Sequence, residues 1–184
     1  MVLTDIPDVT IRDDDFDIDM NGDGVVDFTL SHRLDGAWGD PEAKIRGRRY
    51  SSDVVAGAYS FFEKTYEVTK YRASNMIFPS SGLSNVFLNF DHLAGKDDGY
   101  TVGQFAGSRD AFIGLIFEVD GRGPSGWIRL DVANIAGDYV LTVKAYAYET
   151  EPDTPVHAFV SPEPGSLGLL ALGAAGVVLS RRRR

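Results

Sequence analysis

Oxygen-bearing side chains recur at close, regular spacing in the segment Asp17–Asp27, which has the sequence DIDMNGDGVVD. Calcium prefers several oxygen ligands supplied by a tightly wound loop, and a glycine within such a loop permits its sharp turn. Gly24 stands at that place. The spacing therefore predicts a structural calcium site whose ligands are Asp19, Asn21, Asp23, the main-chain carbonyl of Val25, and Asp27.

The loop differs from a calcium-binding EF-hand at its last ligand position. An EF-hand places a bidentate Glu at position 12, where this sequence has Leu30 if Asp19 is position 1. The segment more closely resembles the D-x-N-x-D-G-x-x-D loops of dockerin-like and integrin-repeat-like proteins, and Asp17 is a candidate for an additional ligand. The alternative is an acidic turn whose side chains accept backbone hydrogen bonds and bind no metal.

No other group of titratable residues has the spacing of a catalytic motif. The histidines His32, His92 and His157 are far apart, and the sequence contains no HExxH, GxSxG or phosphate-loop motif. Asp91-His92 with Asp97-Asp98 is the densest remaining cluster, and surface loops of β proteins commonly carry such clusters. We therefore expect a protein that is not an enzyme and has no catalytic residues.

Two further sets of residues relate to carbohydrate chemistry. Carboxylates that could form a pair for glycoside hydrolysis are Glu63, Glu67, Glu118 and Glu149, although sequence alone does not give the distances between them. Aromatic side chains that could stack on sugar rings are Trp38, Trp127, Tyr146 and Tyr148. For most of these aromatic residues we expect core packing instead.

The elements that position these residues are predicted to be strands. Short runs of β-branched and aromatic residues alternate with Gly, Asp, Asn and Pro; they are Val25–Leu30, Glu67–Ala73, Asn85–Phe90, Phe112–Val119, Gly126–Val132 and Tyr139–Glu149. Residues 120–124 (DGRGP) have the composition of a hairpin-like loop. A short helix is considered only at Val54–Phe62. The pattern predicts an all-β fold, with a β-sandwich or jelly-roll-like domain over residues 1–160.

Alternation is clearest in the last third of this domain. Ile113, Leu115, Phe117 and Val119 are predicted to share one face of a strand. In the next strand, Ile128, Leu130 and Val132 are predicted to lie opposite Arg129 and Asp131. The two apolar faces are expected to form the core.

The charge of the chain excludes several partners. Residues 1–164 carry 14 basic and 27 acidic side chains, a formal charge of −13. Such a body repels nucleic acid and anionic lipid, whereas calcium or a neutral partner such as a sugar is electrostatically compatible. The absence of cysteine excludes disulfides and thiolate metal sites.

The segment 161–184, SPEPGSLGLLALGAAGVVLSRRRR, differs in character from the rest of the chain. Residues 165–179 contain no charged side chain and are followed by a basic end. A helix of this length spans about 22 Å, less than the ~30 Å hydrocarbon core of a bilayer. We predict a single C-terminal membrane helix anchored by Leu167, Leu169, Leu170, Leu172, Val177, Val178 and Leu179. The positive-inside tendency would hold Arg181, Arg182, Arg183 and Arg184 on the cytoplasmic face as a stop-transfer signal.

This tail resembles the PEP-CTERM protein-sorting signal of Gram-negative bacteria. The resemblance rests on Pro162-Glu163-Pro164, on the Gly- and Leu-rich run, and on the terminal arginines, which occur in that order. It implies that the inner membrane holds the protein transiently. An exosortase, a membrane-embedded cysteine protease, would then recognise Pro162, Glu163 and Pro164 and remove the hydrophobic segment. The body would be released towards the cell surface or the extracellular polysaccharide.

The N-terminal sequence MVLTDIPDVTIRDDDFDID has neither the basic start nor the apolar stretch of a secretory signal peptide. We therefore expect the natural start to lie upstream of Met1, and Val2 to begin the first strand. The sequence as a whole predicts a non-enzymatic, exported cell-envelope or extracellular protein that is processed through its tail and stiffened by one calcium. The alternative is a carbohydrate-binding module that acts in the extracellular polysaccharide matrix.

Overall fold

The computed structural model describes residues 1–34, 41–48, 54–60, 65–68, 70–77, 86–88, 90–97, 100–119, 123–151 and 153–159, and for residues 54–60, 65–67, 86–88, 90–92, 94–97 and 100–102 it describes the backbone only. Within these residues the protein is all-β, as predicted. The strands are β1 (Val2–Ile11), β2 (Asp15–Ile18), β3 (Phe28–Arg33), β4 (Glu42–Gly47), β5 (Val54–Ser60), β6 (Thr65–Val68), β7 (Lys70–Tyr71), β8 (Met76–Ile77), β9 (Val86–Leu88), β10 (Phe90–Asp97), β11 (Tyr100–Val102), β12 (Ala111–Ile116), β13 (Ser125–Ile135), β14 (Asp138–Tyr148) and β15 (Val156–His157).

The described strands form one large sheet and one small one. The large sheet has the order β1-β14-β13-β12-β5-β6-β10-β4-β3-β2, with β11 beside β10, β7 beside β12 and β9 beside β5. Its pairings are antiparallel except for the contact between β10 and β6. Strands β15 and β8 form the small sheet.

Strands β12, β13 and β14 form a three-stranded meander that gives the fold its most regular part. Ile113 pairs with Ile128, and Leu130 pairs with Val143 across a register shift after Arg129. The turn between β13 and β14 places Ala136 and Gly137 at φ values of 55° and 92°. Two successive positive φ angles are typical of the two-residue turns whose twist matches that of a hairpin.

The main core lies between the two ends of the large sheet, which fold over one another. The predicted inward residues Ile113, Leu115 and Phe117 are all buried, and so are Ile128, Leu130 and Val132 of the next strand. Phe28 of β3 packs edge-to-face on Phe117, with ring centroids 6.5 Å apart. The β2-β3-β4 end therefore covers the β12-β13-β14 end, and the arrangement is sandwich-like.

A second, smaller core covers the opposite face of the meander. Trp127 is 1% exposed and packs edge-to-face on Phe112, with centroids 5.1 Å apart, and on Phe159, at 5.8 Å. Its indole N–H donates to the His157 carbonyl at 3.0 Å. Because side chains on both faces of β12 are buried, its sequence is almost continuously apolar rather than alternating.

Several predicted elements differ from the structure; the single strand predicted at Glu67–Ala73, for example, is the two short strands β6 and β7, which end at Tyr71. The short helix considered at Val54–Phe62 is wrong, because Val54–Ser60 is strand β5. Pairing of Val55 with Leu115 and with Leu88 places this segment inside the sheet, and these long-range partners decide its conformation. The strand predicted at Val25–Leu30 begins at Phe28, since the acidic turn extends through the preceding residues. The predicted C-terminal helix lies outside the described residues.

Candidate functional site

The acidic loop connects β2 to β3 and is organised by the carboxylate of Asp19. Oδ1 of Asp19 accepts hydrogen bonds from the backbone N–H of Gly22, at 2.7 Å, and of Asp23, at 3.2 Å. Oδ2 accepts from the N–H of Gly24 at 2.7 Å. Gly22 and Gly24 adopt φ values of 76° and 84°, which glycine adopts without steric cost. The sequence predicts this turn because it supplies glycine where the backbone turns back on Asp19.

Asn21 and Asp23 extend the same hydrogen-bonded turn. Oδ1 of Asn21 accepts from the Asp23 N–H at 3.0 Å, and Nδ2 of Asn21 donates to Oδ2 of Asp23 at 3.1 Å. The N–H of Val25 donates to Oδ1 of Asp23 at 2.7 Å. The predicted ligands Asp19, Asn21 and Asp23 are therefore brought together.

Asp27 anchors the loop to the sheet. It is 1% exposed, and its Oδ2 accepts from the Met20 N–H at 2.8 Å. Its own N–H donates to the Ile18 carbonyl at 2.9 Å, and its carbonyl accepts from the Arg48 N–H at 2.8 Å. Through these hydrogen bonds, the buried Asp27 links the end of the loop to its start and to the residue after β4. Asp17, the additional ligand candidate, instead accepts from the Thr29 hydroxyl at 2.6 Å across the β2–β3 pair.

The loop geometry can be compared with both interpretations of this segment, a calcium site and an acidic turn that binds no metal. In the described ranges, no three His, Cys, Asp or Glu side chains converge closely enough to hold a metal ion. The observed bonds are those of an Asx-type turn, in which side-chain oxygens accept from the backbone. Oδ1 of Asp19 accepts two N–H groups, whereas Oδ2 of Asp19, Oδ1 of Asn21 and Oδ1 of Asp23 each accept one and keep a second lone pair. Calcium binding at Asp19, Asn21, Asp23, Val25 and Asp27 stays a prediction.

His32 forms a buried polar contact that the sequence analysis did not find. Its side chain is fully buried, and its Nε2 lies 2.6 Å from Oδ1 of Asp138. Its Nδ1 accepts from the Asp13 N–H at 2.7 Å. The signal was present in the alternation Phe28, Leu30, His32, which places the histidine on the inward face of β3. Both ring nitrogens are occupied within the fold, so the geometry is that of a structural histidine.

An ion-pair network lies on the outer face of the meander. Oδ1 of Asp110 is 2.6 Å from Nη2 of Arg129 and 3.0 Å from Nζ of Lys144, whose ammonium also lies 2.8 Å from Asp131. The hydrogen bond from Arg129 is the main cause that lowers the pKa of Asp110. Burial alone would lower the pKa of Lys144, but hydrogen bonds to Asp131 and Asp110 outweigh it and raise the pKa. These groups neutralise one another across neighbouring strands.

The aromatic and carboxylate residues considered for carbohydrate chemistry lie in different places. Trp127 is buried in the second core, as predicted, and Tyr148 packs on Phe117 with centroids 5.3 Å apart. Tyr146 is partly buried against the main core. Glu149 directly follows β14, and its Oε1 accepts from the Thr150 N–H at 2.9 Å.

Several predicted residues lie outside the part of the chain whose side chains are described. They are Trp38, Glu63, Glu67, Asp91, His92, Asp97 and Asp98, together with the whole tail that carries the sorting motif, the predicted anchor and the arginines, residues 161–184. In the described ranges, no helix is both long enough and apolar enough to cross a membrane.

Comparison with known proteins gives one match. Residues 162–184 match the family model described as the PEP-CTERM protein-sorting motif. The match covers the tail alone. Neither the curated proteins nor the solved structures contain a match to this chain. The chain thus ends in a PEP-CTERM protein-sorting motif, which implies exosortase-dependent sorting of an exported protein.

Proposed function

We propose that this protein is an exported, non-enzymatic β-sandwich-like body that is delivered to the cell exterior by its C-terminal tail. The match of residues 162–184 to the sorting motif carries this proposal. The tail serves as a temporary inner-membrane anchor. An exosortase cleaves at Pro162-Glu163-Pro164, and the body is released towards the cell surface or the exopolysaccharide.

The physical properties of the tail fit these separate roles. Pro162 and Pro164 restrict the backbone to extended conformations, which suit a protease cleft. Residues 165–179 bring no charge into the bilayer. Arg181–Arg184 resist transfer across the membrane, because moving a guanidinium through hydrocarbon is costly. The acidic body does not compete for anionic lipid, since its formal charge is −13 over residues 1–164.

Intact-mass analysis of material from the producing cell tests this function. We expect extracellular protein that has lost Leu167–Arg184, and accumulation of the uncut chain in the inner membrane when the exosortase is deleted. Replacement of Pro162, Glu163 and Pro164 by Ala should have the same effect as the deletion. The matched control replaces Glu151 and Pro155, the same residue types upstream of the motif, and should be processed normally. Extracellular protein that retains Arg184, or protein confined to the cytosol, would contradict the proposal.

We further propose that the acidic loop binds one calcium ion in a structural role. Asp19, Asn21, Asp23, the Val25 carbonyl and Asp27 would hold the ion, which would neutralise the clustered carboxylates and stiffen the β2–β3 connection. Support comes from the hydrogen bonds that already gather Asp19, Asn21 and Asp23 in one turn. The high negative charge of the body also favours a divalent cation.

Isothermal titration of chelator-stripped protein tests the calcium proposal. We expect heat on titration and a higher melting temperature, since a ligand at about 100-fold its Kd stabilises the folded state by about 2.7 kcal/mol. Asp23→Asn should weaken both signals. Asp5→Asn, a charge change of the same kind in β1, should leave them intact. If calcium produced neither heat nor a shift in melting temperature, the calcium proposal would be wrong and the loop would be an Asx-type turn that binds no metal.

A further inference from the structure

An open cleft of about 450 Å³ lies beside the start of β12. One wall is formed by β7 and the residue after it, Lys70, Tyr71 and Arg72; the other wall is the turn over residues 106–111 that leads into β12. Pairing of Tyr71 with Phe112 and of Lys70 with Ile113 holds the two walls together. The volume lies within the range of small-molecule sites.

The charge of this cleft is opposite to that of the body. Lys70, Arg72 and Arg109 line it, and the one lining carboxylate, Asp110, is occupied by Arg129 and Lys144. Arg72 and Arg109 are exposed, and among the described residues neither forms an ion pair. Among the described residues, the cleft therefore carries three cations and one carboxylate, on a body whose formal charge is −13 over residues 1–164. Such a focus of positive potential favours an anionic ligand.

The cleft is fixed before any ligand binds. The Ser108 N–H donates to the Phe105 carbonyl at 2.8 Å, and the Val132 N–H donates to the Ser108 carbonyl at 2.9 Å. Nζ of Lys70 donates to Oγ of Ser108 at 3.1 Å, which joins the two walls. Little ordering cost would accompany binding, apart from that of the exposed arginine side chains.

We propose that this cleft binds the carboxylate of a sugar acid. Arg72 and Arg109 supply planar donor groups that match a carboxylate in two-point contact. Tyr71, which also packs against the second core, and Ser108 line the cleft and supply the apolar surface and the hydroxyl that a sugar ring requires. Long polyanions are disfavoured, because the surrounding acidic body repels them, whereas a single carboxylate experiences little of that repulsion. Binding at this cleft involves the body alone and is independent of the sorting function.

Titration of the purified full-length chain in detergent, with glucuronate as the probe and glucose as the neutral control, tests the proposal. We expect saturable binding of glucuronate that weakens as NaCl is raised from low to high concentration, and no saturable binding of glucose. Arg72→Gln and Arg109→Gln should each weaken glucuronate binding by about tenfold or more, as expected for loss of a charge-assisted hydrogen bond. Because both side chains are exposed, their melting temperatures should match that of the unaltered chain.

Arg48→Gln is the matched control, because Arg48 is exposed and does not line the cleft. It should bind glucuronate normally. Equal binding of glucose and glucuronate would overturn the role of the carboxylate. Inorganic phosphate that binds as tightly as glucuronate would overturn the assignment to a sugar acid. Unchanged affinity in the Arg72→Gln, Arg109→Gln double variant would overturn the cleft as the site.

Discussion

Nε2 of His32 lies 2.6 Å from Oδ1 of Asp138, and the two residues are 106 positions apart in the sequence. Because Nδ1 accepts from the Asp13 N–H, the ring carries its proton on Nε2 and donates it to the carboxylate. Oδ2 of Asp138 lies 3.1 Å from Nη2 of Arg12, at ion-pair distance but without the alignment of a hydrogen bond. The contact links β3 to the start of β14 and thereby joins the two ends of the large sheet.

The same histidine stabilises a strained bend. Asp13 adopts a φ of 52°, which is unfavourable for a residue with a side chain. Its N–H is the group that donates to Nδ1 of His32. Loss of the imidazole would therefore leave a backbone donor and a mostly buried carboxylate without their partner at once.

We predict that His32→Ala lowers the free energy of unfolding by about 2–4 kcal/mol, from the lost hydrogen bonds and the cavity that remains. Urea unfolding at pH 7 measures this change. His157→Ala removes an exposed histidine and should change stability by less than about 0.5 kcal/mol. Similar small effects for both variants would show that the His32–Asp138 contact does not stabilise the fold.

Local patterns were sufficient to predict much of this molecule. The strands of the meander, the inward faces of Ile113 and Ile128, and the acidic turn at Asp19 all follow from alternation or from residue spacing within short segments. Their conformations depend on neighbours that are close in sequence, so the sequence pattern contains the relevant information.

Contacts between segments that are distant in the sequence account for the structural features that were not predicted. A short helix was considered at Val54–Phe62 because this span has no clear strand alternation, and pairing with β12 makes Val54–Ser60 a strand. The His32–Asp138 pair and the cleft between β7 and residues 106–111 depend on the order of strands in the sheet. That order is not readable from any single segment.

The Asp110 network predicts a dependence of stability on acidity. The pKa of Asp110 is lowered in the folded state, so its contribution is present above the ordinary carboxyl value of 3.8 and is lost as the pH falls through the lower, folded value. Asp110 is 48% exposed, which limits the contribution to about 1 kcal/mol or less.

Urea midpoints compared at pH 7 and pH 3 for the unaltered chain and for Asp110→Asn measure this contribution. The unaltered chain should lose more stability between the two pH values than the variant, and the difference should shrink in 1 M NaCl because salt screens exposed charges. Asp153→Asn, which removes an exposed carboxylate outside the network, is the control. Equal pH dependence in Asp110→Asn and the unaltered chain would contradict the prediction.

The atoms around two glycines of the meander predict which glycine-to-alanine substitution destabilises the protein more. A Cβ at Gly126 would lie 2.7 Å from Cδ1 of Leu115 and 2.8 Å from the backbone carbonyl of Ala147. A Cβ at Gly114 would lie 2.9 Å from both Cγ2 of Ile77 and Cε2 of Tyr71, which are side-chain atoms that can shift. The backbone atom near Gly126 cannot move without disturbing the β13–β14 pairing.

We therefore expect Gly126→Ala to destabilise the protein more than Gly114→Ala. Gly114→Ala should lower the free energy of unfolding by about 1–3 kcal/mol. Thermal unfolding of the two variants under identical conditions decides the order. Gly123→Ala, whose Cβ would meet only Cγ2 of Ile116 at 3.0 Å, should cost the least. The reverse order would mean that the sheet adjusts more easily than the side chains of the second core.

The position of the sorting motif relative to the body predicts an effect on processing. Phe159 packs on Trp127 with ring centroids 5.8 Å apart, and Val156 of β15 pairs with Ile77 of β8. Pro162 follows Phe159 after two residues, and an extended chain advances at most about 3.6 Å per residue. With only two residues between Phe159 and Pro162, an exosortase that recognises the motif would have to approach β15 closely or wait for it to detach.

Insertion of a Gly-Ser linker between Val160 and Ser161 should therefore speed exosortase cleavage. Pulse-chase labelling in the producing cell measures the rate as the ratio of cut to uncut chain. Trp127→Leu, which removes the contact with Phe159, should also accelerate cleavage if the body still folds; a thermal melt checks that condition. The same linker inserted between Met1 and Val2, before the first strand, controls for general effects of lengthening the chain. Unchanged cleavage with the linker at residue 160 would show that the docked β15 segment does not limit access, and that recognition depends on the tail alone.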